Sequence, residues 1–219
     1  MASWKFFGAT LVATVVAFSA GSALAEEFSA RLSGFQELGS LPNVTQNPTT
    51  GVVTAANPTG AVLSNGSGKV SLQLHNDSID YTLTYSDVGT TLPKTGKVSQ
   101  AHIHFGKSRD SGGIMVFFCT NLKNAPPLTD GAQICPDNSG TVSGTWTSAD
   151  VVAIVGQNVV AGDFSALVRA LESNTAYANV HTTSGTNPDT AFPAGEIRGQ
   201  VHAVEDDHDH DNNNQGHNH

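Results

Sequence analysis

Positive charge is scarce in this chain: 10 Lys and Arg stand against 19 Asp and Glu, a formal net charge of −9 at pH 7. Proteins that bind phosphate backbones or anionic membranes need the opposite balance, so nucleic acid and anionic lipid surfaces are excluded as partners. Cysteine is almost missing, with Cys119 and Cys135 the only two. Without any CxxC spacing the usual zinc and redox motifs are ruled out. In an exported chain the pair is expected to form a disulfide, worth about 3 kcal/mol through loop closure. There is no HExxH, no phosphate-cradling glycine loop and no serine-nucleophile elbow, so no signature of hydrolase or phosphotransfer chemistry is present. No repeat of fixed period occurs.

Long apolar runs are absent except at the start, "MASWKFFGATLVATVVAFSAGSALAEE". Lys5 supplies a positive n-region, Phe6 to Phe18 is apolar or small, and Ala23-Leu24-Ala25 fits the small-x-small cleavage rule. Residues 1–25 therefore read as a secretory signal peptide, too short and interrupted for a membrane span of about 20 residues. With that segment removed, the chain keeps enough length for one domain with its own core. An exported protein without stable membrane insertion is expected, periplasmic, extracellular or at the cell surface. The other terminus differs again. "EDDHDHDNNNQGHNH" (205–219) carries five acids and four histidines, with no Lys or Arg. It cannot bury enough apolar surface to offset its ordering entropy and reads as a disordered tail. It is expected to act as a solubilising tail, with loose transition-metal binding by His208, His210, His217 and His219 as the alternative.

Residues 26–204 read as one domain of short alternating strands punctuated by Gly, Pro, Asn and Asp. "GKVSLQLH" and "SIDYTLTYS" alternate apolar and polar positions around Asn76-Asp77, which marks a hairpin. "FSARLSG", "KVSQAHIHFG", "GIMVFFC", "GTVSGTWT", "YANVHTT" and "GEIRGQVHA" continue the pattern. This predicts an all-β fold, an immunoglobulin-like or Greek-key sandwich or barrel. One or two short helices interrupt it. "GDFSALVRALESN" places Phe164, Leu167, Val168 and Leu171 on one face behind an Asp163 cap. "TSADVVAIV" is the second, shorter candidate. The link "NLKNAPPLTD" between the cysteines is expected to bulge as an exposed lid.

The chemistry gathers on one set of strand faces. Residues two apart in a strand share a side, so His102 and His104 stand together, opposite Ala101, Ile103 and Phe105. The same parity groups Tyr177, Asn179 and His181 in one strand, and Glu196, Arg198 and Gln200 in another. If these strands are neighbours, one polar patch results: His102, His104, His181, Glu196 and Arg198. A hydrogen-bonded polar network with Glu196 paired to Arg198 is one reading of it. A copper or zinc site on the three imidazoles is another, with Glu196 orienting a ring. Glu196, Arg198 and Asn179 are assigned supporting roles. The Glu196 carboxylate is expected to be partly buried against Arg198 or the His181 region, where its loss would destabilise the fold.

"FSARLSGFQE", "AHIHFG" and "YANVHT…FPAGEIRGQV" occur in this order across about 28–202 and resemble the CHRD (chordin) domain family. "NVHT" followed by "P-x-GEIRGQ" carries most of the specificity. The resemblance implies an exported, all-β, immunoglobulin-like module. It does not carry over chordin's growth-factor role, which also involves cysteine-rich modules absent here. "AHIHFG" is also similar to the "HVHxFG" strand of Cu/Zn superoxide dismutase, which holds copper on an H-x-H pair. No counterpart of that enzyme's His/Asp-rich zinc loop exists in this chain, so a full dismutase is not expected. The expected function is a non-enzymatic binding or structural module for an extracellular or envelope ligand. The alternative is a copper or zinc protein using His102, His104 and His181.

Overall fold

A computed structural model describes residues 26–38, 45–46, 53–54, 60–93, 95–122, 133–183 and 191–205. The signal-peptide segment, the tail histidines and most of the "NLKNAPPLTD" link lie outside the described residues. The strands are β1 (Glu27–Ser33), β2 (Thr45–Gln46), β3 (Val53–Thr54), β4 (Ser67–Leu74), β5 (Ile79–Ser86) and β6 (Lys97–Phe105). They continue as β7 (Gly113–Thr120), β8 (Gly140–Trp146), β9 (Ala176–Thr183), β10 (Ile197–Gln200) and β11 (His202–Ala203), with one helix, α1 (Phe164–Glu172).

Nine strands form a single antiparallel sheet in the order β7-β6-β9-β10-β1-β4-β5-β8, with β11 pairing β1. β2 and β3 pair only with each other. The expected hairpin is present, with Leu74 opposite Ile79 across the Asn76-Asp77 turn. The sheet curls until its two end strands meet: Trp146 Nε1 of β8 donates to Phe117 O of β7 at 2.8 Å, and from the next strand, β5, Tyr81 Oη reaches across to Phe118 O at 3.3 Å. Side chains thus bridge the seam that strand ladders leave open, and of the two closures expected the sheet takes the barrel-like one. Among the described residues no helix is long and apolar enough to cross a membrane.

One alternating face of each strand fills the barrel. Val70, Leu72, Ile79, Leu83, Ala101, Ile103, Ala178, Val180 and Ile197 are buried there. α1 begins where expected, because the Asp163 carboxylate accepts the Ala166 N–H at 3.0 Å and satisfies one of the free first-turn donors. Its Leu167, Ala170 and Leu171 are buried against the core. The second helix expectation is corrected. "TSADVVAIV" makes only a 3-10 turn at Ser148–Asp150, fixed by a Thr147–Asp150 capping box. β-branched Val151 and Val152 then continue extended, with Val152 N bonded to Met115 O. Cys119 and Cys135 form the expected disulfide, tying β7 to the segment that leads into β8.

Candidate functional site

Strands β6, β9 and β10 are neighbours, and their register sets the chemistry-bearing side chains in rows. His102 lies opposite Asn179, which lies opposite Arg198. One step along, His104 lies opposite Tyr177, and Tyr177 opposite Gln200. His181 pairs with Gln100 at the other end. The period-2 reading of these strands therefore holds from residue 197 onward. On the far side of β6, two register shifts interrupt the pairing with β7, one just before each histidine, at Ala101/His102 and Ile103/His104. Each bulge re-aims a side chain, and Phe117 comes to rest edge-on to His102 with ring centroids 5.0 Å apart.

This polar face is not a surface. His102 is fully buried, and His181 and His104 keep only 6% and 9% of their exposure. Covering comes from the 106–112 loop, from Phe117 and from the turn at 191–195. His104 Nδ1 sits 2.9 Å from Gly112 O, and His181 Nδ1 3.0 Å from Pro193 O. A carbonyl only accepts, so both rings carry their proton on Nδ1 and leave Nε2 as a lone pair. His102 Nδ1 lies 3.0 Å from His104 Nε2 and must donate to it. His102 Nε2 and His181 Nε2 are buried with no hydrogen-bond partner.

Burial sets the charge state of the cluster. Desolvation pushes the His104 imidazole down to about 4, the Gly112 carbonyl pulling upward and Arg198 downward. His181 falls to about 3, again mainly through burial, with His104 adding to the fall. His102 is held well below its ordinary value by burial and by its two histidine neighbours. All three are neutral at pH 7, the state in which imidazole ligates a metal. Among the described residues they form the one group of three metal-donor side chains, with ligating atoms all within 4.8 Å of one another.

The remaining sequence candidates go elsewhere. Glu196 does not pair with Arg198 and orients no histidine. Its carboxylate is fully buried and accepts from Ser64 Oγ at 2.7 Å, Gly89 N at 2.9 Å and Thr182 Oγ1 at 3.0 Å. The parity rule fails at this residue because the strand begins only at Ile197 and Gly195 turns the chain with φ +132°. Carbonyls of Gly112 and Pro193 do the ring-orienting expected of Glu196. Arg198 donates to Lys107 O and Asp110 O at 2.8 and 2.9 Å and lies 3.3 Å over the Tyr177 ring. Tyr177 in turn stacks on His104, ring centroids 4.7 Å apart and 3° from parallel. The Asn179 amide bonds the Glu37 carboxylate rather than a histidine. Glu37 was invisible to strand parity because it follows β1 on a 3-10 turn. Tyr177 was legible from its parity with Asn179 and His181.

Residues 28–201 match the family model of the CHRD domain. No curated protein matches the chain.

Proposed function

The chain belongs to the CHRD domain family, and we propose that it is an exported, non-enzymatic binding module that holds one copper ion on His102, His104 and His181. The disulfide and the leader-like residues 1–25 support an oxidising, exported setting. One observation carries the metal reading. Two imidazole nitrogens, His102 Nε2 and His181 Nε2, are buried without partners beside a third histidine. Leaving such atoms unsatisfied costs about 1–3 kcal/mol each, and a cation relieves both.

The donor set is three neutral nitrogens with no carboxylate or thiolate among them. Structural zinc sites usually close with four protein ligands, and copper heads the affinity order for imidazole sites. With bonds of about 2.0 Å, ligating atoms stand about 3.3–3.5 Å apart. Binding would have to close the observed spread of up to 4.8 Å and release His104 Nε2 from its hydrogen bond with His102 Nδ1, which frees the third lone pair.

The test is metal analysis of tag-free protein, both full-length and truncated after Val204 so that the tail histidines contribute nothing. The truncated protein should retain about one copper per chain after dialysis, and a His102→Gln/His181→Gln variant none. Truncated, folded wild-type protein that holds no stoichiometric copper or zinc would leave the cluster as a packing device.

A further inference from the structure

Arg198 is a buried cation with no anion at ion-pair distance among the described residues. The whole residue is 2% exposed, and the two ion pairs among the described residues join His75 to Asp80 and Lys97 to Asp137. Its Nη2 serves two backbone carbonyls, Lys107 O and Asp110 O. Stacking on Tyr177 offsets part of the desolvation, and the carboxylates of Glu37 and Asp110 favour the cation from beyond ion-pair distance, but a buried charge without a close counter-ion is costly.

Arg198 also lines a pocket of about 500 Å³ with Arg109, Gln200, Glu37, Leu38 and Phe35. That volume suits a small organic molecule. A second cation, the exposed Arg109, stands at its rim. Gln200 adds a buried Oε1 that has no partner, while its Nε2 is held by Gly106 O and Asn174 O. Phe35, 70% exposed, gives an apolar wall that nothing in the barrel requires.

We propose that this pocket binds a small organic monocarboxylate, its anionic end on Arg198 and Arg109 and its body against Phe35 and Leu38. A monoanion fits better than phosphate. The Glu37 carboxylate is part of the lining, its oxygens already accepting from Leu38 N and Asn179. A second negative charge in the ligand would be opposed by it and by the chain's net charge of −9. Buried Gln200 Oε1 accepts only, so a ligand that also carries a hydroxyl satisfies it. The pocket shares no lining residue with the histidine cluster, since the Tyr177 ring stands between Arg198 and His104, and the proposal does not depend on any metal there.

Calorimetric titration of the full-length protein with acetate, benzoate and glucuronate, against inorganic phosphate, tests this. At least one of the two ring-bearing carboxylates should bind saturably at one site per chain, and more tightly than acetate or phosphate. Arg109→Ala should weaken it at least fivefold without altering the fold, and Phe35→Ala should weaken benzoate more than acetate. Arg198→Gln should abolish binding; if that variant does not fold, Arg109→Ala decides alone. The His102→Gln/His181→Gln variant should bind the carboxylate as wild type does. Loss of binding in that variant would assign the carboxylate to a bound metal and overturn the proposal. So would absence of saturable carboxylate binding, phosphate binding as tight as the carboxylates, or an affinity unchanged by Arg109→Ala.

Discussion

Glu196 shows how a single backbone turn redirects a side chain. Sequence parity placed it beside Arg198, but Gly195 bends the chain just before the strand begins, and the carboxylate enters the barrel end instead. There it receives one backbone N–H and two hydroxyls, so its role is to satisfy buried donors from three separate segments. Glu196→Gln keeps the shape but replaces one acceptor oxygen with a donor, and should cost about 1–3 kcal/mol in a urea titration. Glu196→Ala, which strips the buried Gly89 N–H of its acceptor, should cost more. Wild-type stability of both would show that water replaces the carboxylate. Gly112 is the second residue whose identity matters. A Cβ there would collide with the Phe105 carbonyl, and its own carbonyl fixes the His104 tautomer. Gly112→Ala should therefore lower copper affinity at least tenfold while Gly156→Ala, which meets nothing, leaves it unchanged; equal affinities in a competition titration would dissociate the loop from the cluster.

The regular elements were largely readable. Alternation in β4 and β5 and the 3.6-residue spacing in α1 reflect faces that meet one core, so local pattern and tertiary burial agree. β7 was harder to interpret, because Met115, Val116, Phe117, Phe118 and Cys119 are all buried. Its two bulges break the alternation and deliver Phe117 to His102. The disulfide anchors that irregular strand. It spans 16 residues, for which loop closure predicts about 3 kcal/mol. Reduction should lower the melting temperature without abolishing the cooperative transition, since most of the barrel core comes from strands other than β7. Two reactive thiols in native, unreduced protein would contradict the bond. At α1, Asp163→Ala removes the cap to Ala166 N and should cost about 1 kcal/mol in the same denaturation assay.

At the scale of the molecule, the sequence marked which residues share a face but not that both faces of β6 and β9 are covered. Burial of the second face comes from loops at 106–112 and 191–195, whose path depends on tertiary contacts that no periodicity encodes. That covering also fixes the pH behaviour of the protein. In the unfolded chain the three histidines titrate near 6.5, while folded His104 titrates at about 4 and His181 at about 3. Between these values the unfolded state binds more protons, so stability must fall as pH drops below 6.5, and these groups add no slope above it. At pH 4.5 each such imidazole withdraws up to about 2–3 kcal/mol. The stability of metal-free protein should therefore start to decline near pH 6.5, and His181→Leu should remove about one proton from the slope of stability against pH. The proposed copper on the folded cluster would compete with protons only below about pH 4–5, because the folded imidazoles are already neutral above that range. Protein truncated after Val204 should thus keep its copper in equilibrium dialysis down to pH 5, where ordinary surface histidines have released theirs. Loss of the ion by pH 6 would mean that the bound metal sits on exposed imidazoles and not on the buried three.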